Sequence, residues 1–200
     1  MDIEKAVDQI SEIHSHLAKS ETFYGFKPLI LLLVGLTAMI VAGLQSWLMP
    51  SINDMIFLLQ WLVVGVVIIV IIYGNIIYNY LRYGSNFEIH QMTKVCLQFV
   101  PSLVAGTIVT AVILLFEKSS SALLPGLWAI LFGLGIFSMR PYLPRYVGFI
   151  ALYYFIVGGV LMYLTAFDLS FSPWGMGLTF GVGHLLAALI MHLGIERNVK

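Results

Sequence analysis

The sequence predicts an all-α, polytopic membrane protein in which six transmembrane helices form one bundle. Hydrophobic residues make up 60% of the 200-residue chain and charged residues only 10%, whereas a soluble domain carries roughly 25% charged residues to solvate its surface. Six charge-free runs each extend over 21 residues or more. About 18 apolar residues already suffice to cross the hydrocarbon core of a bilayer as a helix. The runs cover residues 28–53, 55–81, 95–116, 119–139, 146–167 and 169–195.

The distribution of basic residues provides a third observation, because Lys and Arg are enriched on the cytoplasmic side of membrane helices. With six spans, nine basic residues fall on the side of the two termini and one, Lys118, falls on the other side. The nine are Lys5, Lys19, Lys27, Arg82, Lys94, Arg140, Arg145, Arg197 and Lys200. This bias predicts that both termini are cytoplasmic, and an odd number of spans would destroy it.

The predicted domain organisation is a leader at 1–27, a transmembrane domain at 28–195 and a cytoplasmic tail at 196–200. The spans are expected at about 28–49, 55–81, 95–116, 122–139, 147–167 and 173–193. The leader is acidic, which is unlike a cleavable signal peptide, so the first span is expected to remain in the mature protein. Four tryptophans lie in the predicted outer halves of their spans and indicate an aromatic belt at the headgroups. These are Trp47, Trp61, Trp128 and Trp174.

Composition excludes several classes of protein. Ten basic residues balance ten acidic ones, so no global field attracts nucleic acid, and no nucleic-acid partner is expected. A single cysteine, Cys96, rules out a disulfide scaffold. The chain has no phosphate-binding loop, no His-Glu-x-x-His motif and no Gly-x-Ser-x-Gly motif. We therefore expect no catalytic residues, no metal site and no cofactor, and an enzymatic role is disfavoured.

The apolar periodicity of residues 2–20 predicts an amphipathic cytoplasmic helix. Its apolar side carries Ile3, Ile10, Ile13 and Leu17, and its polar face is net acidic. Amphipathic helices that lie on anionic membranes are usually basic, so electrostatic docking to lipid is not expected. Two interpretations remain open: the helix folds against the cytoplasmic ends of the bundle, or it mediates self-association or docks a protein partner.

Polar residues near the predicted cytoplasmic side suggest a vestibule. Asn75 and Asn79 lie four residues apart on the second span, and Gln98 and His192 lie at a similar depth on the third and sixth spans. They either line an inward-facing polar vestibule or are interfacial residues that meet headgroups and water.

The fourth and sixth spans share the pattern Pro-x6-Phe-Gly-x-Gly, at Pro125 and again 48 residues later at Pro173. Small residues let membrane helices approach closely, so these glycines are predicted to lie at helix contacts. The predicted packing residues are Gly133, Gly135, Gly177, Gly181 and Gly183. The small residues Gly35, Ala38, Ala42 and Gly43 of the first span fit packing within one bundle or association of copies.

His184 is the one ionisable residue near the middle of a predicted span, and a residue of this kind is a functional candidate by default. Histidine can relay protons or bind haem or a metal ion, but each use needs partners. No acidic residue or second histidine lies at its depth in the sequence. The favoured interpretation is a neutral ring that is hydrogen-bonded to a carbonyl or a threonine, and a role on a solute or proton path is the alternative.

Several stretches resemble an uncharacterised family of six-span bacterial inner-membrane proteins, whose genes often lie near one for a winged-helix regulator. The stretches are Leu123–Phe137, Pro141–Pro144, Ser172–Ala188 and, more loosely, His14–Gly25. The resemblance implies a bacterial inner-membrane location. It implies no activity, and no functional residue is carried over from it.

Two functions are therefore compared. The glycine-rich faces, the proline-interrupted spans and the inner polar residues favour a small-solute transport or permeation protein, or the membrane subunit of a transporter. The acidic, periodic leader favours a regulatory or scaffold membrane protein that forms homo-oligomers or docks a partner through its N-terminal helix. A redox subunit is supported only by the two histidines, His184 and His192.

Overall fold

The computed structural model describes residues 23, 25–49, 53–116, 118–167 and 172–199, and all regular structure within them is helical. Six helices are long and apolar enough to cross a membrane, which fits the predicted multi-pass membrane bundle. They are α1 (Pro28–Leu48), α2 (Asp54–Tyr83), α3 (Asn86–Phe116), α4 (Leu124–Met139), α5 (Val147–Leu164) and α6, which is built from Pro173–Met176, Gly177–Val182 and Gly183–Val199. Short 3-10 turns at Lys118–Leu123, Arg140–Tyr142 and Thr165–Phe167 flank α4 and follow α5.

The helices α2 and α3 begin where side chains can satisfy their first backbone N–H groups. The side chain of Asn53 accepts a hydrogen bond from the Met55 N–H at 2.9 Å at the start of α2. Before α3, the Glu88 carboxylate accepts from the Ser85 N–H at 2.8 Å, and the Ser85 hydroxyl accepts from the Glu88 N–H at 3.3 Å. This reciprocal arrangement is a capping box.

The capping box explains a difference from the predicted boundaries. The third span was expected to begin at residue 95, but α3 begins at Asn86 and has 31 residues. Because α2 has 30 residues, each of these helices is about 45 Å long at 1.5 Å per residue. Both exceed the roughly 30 Å hydrocarbon core, so this pair must tilt or project beyond the bilayer.

The contact of α4 with α5 is one of the two most extensive between helices, and glycines allow their backbones to touch. A Cβ atom on Gly158 would lie 2.8 Å from the carbonyl oxygen of Gly126, and one on Gly126 would lie 2.7 Å from the carbonyl oxygen of Gly158. Further along, a Cβ on Gly133 would lie 2.9 Å from the Cβ of Tyr154. Any larger residue at these positions would separate the helices.

A second close contact joins α1 to α6. A Cβ on Gly181 would lie 2.6 Å from Cγ of Met39, and one on Gly35 would lie 2.9 Å from the carbonyl oxygen of Gly181. Gly177 lies against Ala42 in the same way. The small-residue side of the first span is thus buried against α6 within a single chain.

The helices α2 and α3 are the least buried of the six. Their outward faces carry exposed apolar side chains, among them Val63, Val70, Val104 and Ile108. Exposed apolar surface on this scale matches lipid and not water. The buried core contains residues of all six helices, and α2 and α3 contribute to it while exposing more of their surface than the other four.

Two aromatic residues that precede α1 close one end of the bundle, here called the Lys27 end. Phe23 is 1% exposed, and its backbone N–H donates to the carbonyl oxygen of Tyr142 at 2.7 Å. Its ring packs against Phe26 and Tyr80 at centroid distances of 5.6 and 5.4 Å. The opposite end carries the exposed Trp47 and is called the Trp47 end.

The neighbouring glycines of α5 provide a matched test of backbone contact. Gly158 touches the α4 backbone, whereas a Cβ on Gly159 would meet nothing within 4 Å. Gly158→Leu is expected to lower the free energy of unfolding by about 1–3 kcal/mol through overpacking, and Gly159→Leu is expected to leave it unchanged. Thermal unfolding in mild detergent measures both, with Gly158→Ala as a milder variant. Equal effects of the two leucine variants would refute the contact.

Candidate functional site

A cavity of about 530 Å³ lies between α2, α3, α4 and α6. Its walls are almost entirely apolar and include the rings of Trp61, Phe99, Trp128, Phe132 and Phe180. Small-molecule sites in proteins commonly measure about 300–1,000 Å³ and are mostly apolar with a few polar groups. The cavity therefore has the size and lining of a site for a small lipophilic molecule.

This cavity opens sideways, between α2 and α3. Three of its lining residues are exposed: Val66 on α2, and Thr107 and Ala111 on α3. The residues that line it from α1, α4 and α6 are buried or half-buried. The outer faces of α2 and α3 on either side of this opening carry the exposed apolar surface that matches lipid.

The two tryptophans of the cavity have their N–H groups fixed by polar partners on neighbouring helices. Trp61 donates to the side-chain oxygen of Gln45 at 2.9 Å, and Gln45 donates in turn to Gln60 at 2.8 Å. Trp128 donates to the hydroxyl of Thr110 at 2.8 Å. Each bond joins two helices and sets the position of an indole ring in the cavity wall.

The buried position of Trp61 differs from the aromatic-belt prediction. Trp47 is 78% exposed, as a residue of an interfacial belt would be, but Trp61 is only 4% exposed. The glutamine at position 45 explains the difference, because a buried acceptor lets the indole N–H leave the headgroup region without losing its hydrogen bond.

A second cavity of about 80 Å³ lies on the side of the Lys27 end. Phe26, Met139 and Leu143 line it near that end. The two cavities share five lining residues, and this shared wall is here called the constriction. The constriction consists of Ile68, Ile69, Phe99, Phe132 and His184.

His184 is the only titratable residue of this constriction. It is 5% exposed, and Nδ1 lies 2.7 Å from the carbonyl oxygen of Phe180 and 3.4 Å from the hydroxyl of Tyr154. A carbonyl oxygen only accepts, so Nδ1 must carry the proton, and in the neutral ring Nε2 is then an acceptor. The ring also packs on Phe132 at a centroid distance of 5.6 Å.

The carbonyl that fixes His184 belongs to a π-helical segment, Gly177–Val182. Such segments are rare and often occur at functional sites. Two of its carbonyl oxygens accept side-chain hydrogen bonds: Leu178 accepts from the Tyr153 hydroxyl at 2.8 Å, and Phe180 accepts from His184. The wider turn thus orients the histidine and ties α6 to α5.

The predicted vestibule residues fall in two groups. Asn75 and Asn79 lie together, since the Asn79 amide donates to the Asn75 side-chain oxygen at 3.0 Å, and Lys27 donates to Asn79 at 3.4 Å. Gln98 and His192 are exposed, and neither lines one of the two cavities described above. The inward-facing vestibule stays a prediction.

The five predicted packing glycines all have close neighbours on other helices. Gly133, Gly177 and Gly181 lie at the α4–α5 and α1–α6 contacts described above. Gly135 lies against the ring of Phe99, and Gly183 lies against the hydroxyl of Tyr154. The predicted partner residues Ile3, Ile10, Ile13 and Leu17 lie outside the described residues.

Sequence reasoning missed most of the cavity wall. Apolar side chains that line a cavity and those that face lipid have the same composition, so the pattern does not distinguish them. A signal did exist at Gln45, Gln60 and Thr110, because polar side chains in apolar spans need partners. The buried Tyr154 had no such signal, since tyrosine is common at membrane interfaces.

The tryptophan contact at Thr110 can be tested against a nearby threonine on the same helix. Thr110→Val removes the acceptor of Trp128 and is expected to lower the free energy of unfolding by about 1 kcal/mol. Thr107→Val removes a hydroxyl that bonds only to the Leu103 carbonyl of its own helix, so little change is expected. Thermal unfolding in detergent, with tryptophan fluorescence as the signal, compares them. If Thr110→Val left the free energy of unfolding unchanged, the hydrogen bond to Trp128 would contribute nothing to stability.

No protein-family model, curated protein or solved structure matches this chain. No activity, ligand or partner therefore comes to it by similarity. The features of the described residues that bear on function are the cavity, its lateral opening and the histidine at its constriction, in a bundle of six apolar helices.

Proposed function

We propose that this protein binds a small, mostly apolar solute within the membrane and acts as a transport or permeation protein for it, alone or as the membrane subunit of a transporter. The observation that carries the proposal is the cavity of about 530 Å³ that opens between α2 and α3. An apolar solute dissolves in the bilayer first, so a lateral opening is its direct route of entry.

The chemistry of the lining favours an uncharged solute. No Asp, Glu, Lys or Arg lines either cavity of the described residues. A permanent charge in such surroundings would cost several kcal/mol without a partner. An ion or a strongly polar solute is therefore disfavoured.

The second cavity supports passage as well as binding. It continues from the first toward the Lys27 end, and only the constriction of side chains around His184 separates the two. Side-chain rotation at Phe99 and Phe132 is the smallest movement that would join them. We infer that the constriction acts as the gate of the pathway.

The proposal includes a location and an orientation. The excess of basic residues on one side and the resemblance to a six-span bacterial family support the bacterial inner membrane with both termini cytoplasmic.

The alternative regulatory or scaffold role depends on residues 2–20, which lie outside the described residues, and no contact of the described residues favours it.

Ligand entry can be measured by tryptophan quenching, because Trp61 and Trp128 line the cavity while Trp47 and Trp174 do not. In a Trp47→Phe, Trp174→Phe variant in mild detergent, 4-bromotoluene is expected to quench the two remaining indoles saturably. The reciprocal variant, Trp61→Phe with Trp128→Phe, is expected to show only linear quenching by bromotoluene dissolved in the detergent.

A blocked cavity provides the control for this measurement. A Cβ on Gly106 would be 3.8 Å from Leu131, with room beyond it in the cavity, so Gly106→Phe is expected to abolish saturable quenching. Gly159→Phe places the same ring on an exposed face and is expected to preserve it. Linear quenching in every variant would refute the proposed function.

The orientation predicts which introduced cysteines react in intact cells. In a Cys96→Ala background, Ser119→Cys is expected to react with a membrane-impermeant maleimide, and Arg145→Cys is expected to react only after lysis. Both positions are exposed and lie in connections on opposite sides of the bundle. The opposite labelling pattern would reverse the proposed topology.

A further inference from the structure

We propose that His184 selects the ligand, and that the cavity prefers small lipophilic molecules with one hydrogen-bond donor, such as a phenol or an alcohol, over hydrocarbons of the same size. This inference rests on the proposed function and adds a substrate class and a specificity-determining residue to it. It follows from the hydrogen bonds that the cavity walls already make and from the few that they leave open.

Most polar groups of the large cavity are already partnered. The N–H groups of Trp61 and Trp128 donate to Gln45 and Thr110. The hydroxyls of Thr107 and Thr110 donate to the carbonyl oxygens of Leu103 and Gly106 at 2.9 and 2.7 Å. None of these groups needs a ligand.

Two side-chain atoms in the wall have no hydrogen-bond partner among the described residues: Nε2 of His184 and the hydroxyl oxygen of Ser102. Nδ1 of His184 is committed to the Phe180 carbonyl, which leaves the lone pair of Nε2 without a donor. No buried side-chain nitrogen or oxygen in the described part of the chain lacks a partner. Nε2 is therefore accessible, and the open space that the ring borders is that of the two cavities.

The chemistry of Nε2 determines the ligand class. A neutral imidazole nitrogen with a lone pair accepts a hydrogen bond and cannot donate one, so its complement is an O–H or N–H group. The surrounding rings of Phe99, Phe132 and Phe180 complement an apolar or aromatic body. A molecule that combines one donor with such a body satisfies both parts of the wall, whereas a hydrocarbon leaves Nε2 unpaired.

The geometry holds this acceptor in place. The Phe180 carbonyl fixes the tautomer, and the ring packs on Phe132. Tyr154, which is fully buried, lies against Nδ1 and Gly183. A site that is built to pair with a donor discriminates against analogues that lack it, because the unpaired polar group then costs free energy.

The test compares 4-bromophenol with 4-bromotoluene, two ligands of similar size that differ in the donor. Dissociation constants are measured by quenching in the variant that retains only Trp61 and Trp128, and each is normalised to the partition of the ligand into protein-free detergent. The phenol is expected to bind roughly tenfold more tightly than the toluene. His184→Leu is expected to abolish this preference while leaving the binding of bromotoluene within about twofold of the parent.

Two further variants keep the test decisive. Ser102→Ala removes the other unpaired polar group and is expected to retain the preference for the phenol. Tyr154→Phe keeps His184 and its carbonyl contact, and it is also expected to retain the preference. If His184→Leu does not fold, His184→Gln, which can present both donor and acceptor groups, is expected to retain phenol binding with a preference reduced to about threefold.

The outcomes separate this inference from the proposed function. Saturable binding of both ligands with equal normalised affinity would overturn the role of His184 and leave the proposed function standing. A preference that survives in His184→Leu but disappears in Ser102→Ala would assign recognition to Ser102 and overturn the inference. Absence of saturable binding for either ligand would overturn both proposals.

Discussion

The structure depends on one constraint: a polar group inside an apolar helical bundle must find a partner within the protein, because lipid offers none. In the described residues no buried side-chain nitrogen or oxygen is left without one. The glutamine pair of α1 and α2 fixes Trp61, and the π-helical carbonyls of α6 fix Tyr153 and His184. The accessible Nε2 of His184 is significant because it departs from this pattern at the boundary of the two cavities.

Uneven packing creates the space for the candidate site. Backbone contacts through Gly126 and Gly158 join α4 to α5, and Gly35 and Gly181 join α1 to α6. The helices α2 and α3 stay less buried, although α3 packs closely on α4, where Gly135 lies against the ring of Phe99. The cavity forms where two long helices lie against the more tightly packed helices, so the proposed binding of a lipophilic solute needs no separate domain.

The sequence pattern that is repeated in the fourth and sixth spans shows which features could be predicted from the sequence. The pattern Pro-x6-Phe-Gly-x-Gly indicated glycine contacts in both, and both sets of glycines have close neighbours on other helices. The two phenylalanines, Phe132 and Phe180, pack together at a centroid distance of 5.8 Å. Yet α4 is α-helical through its copy, while α6 is π-helical through Gly177–Val182. The same local pattern is compatible with an α-helix and with a π-helix. The hydrogen bond from Tyr153 of α5 to the π-helical segment exists only in the folded bundle.

The sequence by itself determined the number of spans and the all-helical class, because hydrophobic length and charge-free runs are local properties. It also marked His184, since a titratable residue within an apolar run is visible without a structure. Only the tertiary structure decided that α3 begins at its capping box and that Trp61 is buried. The cavity also became visible only in the tertiary structure, because enclosed space arises from the way the helices pack. Residues that line a cavity and residues that face lipid are both apolar, so the sequence does not distinguish them.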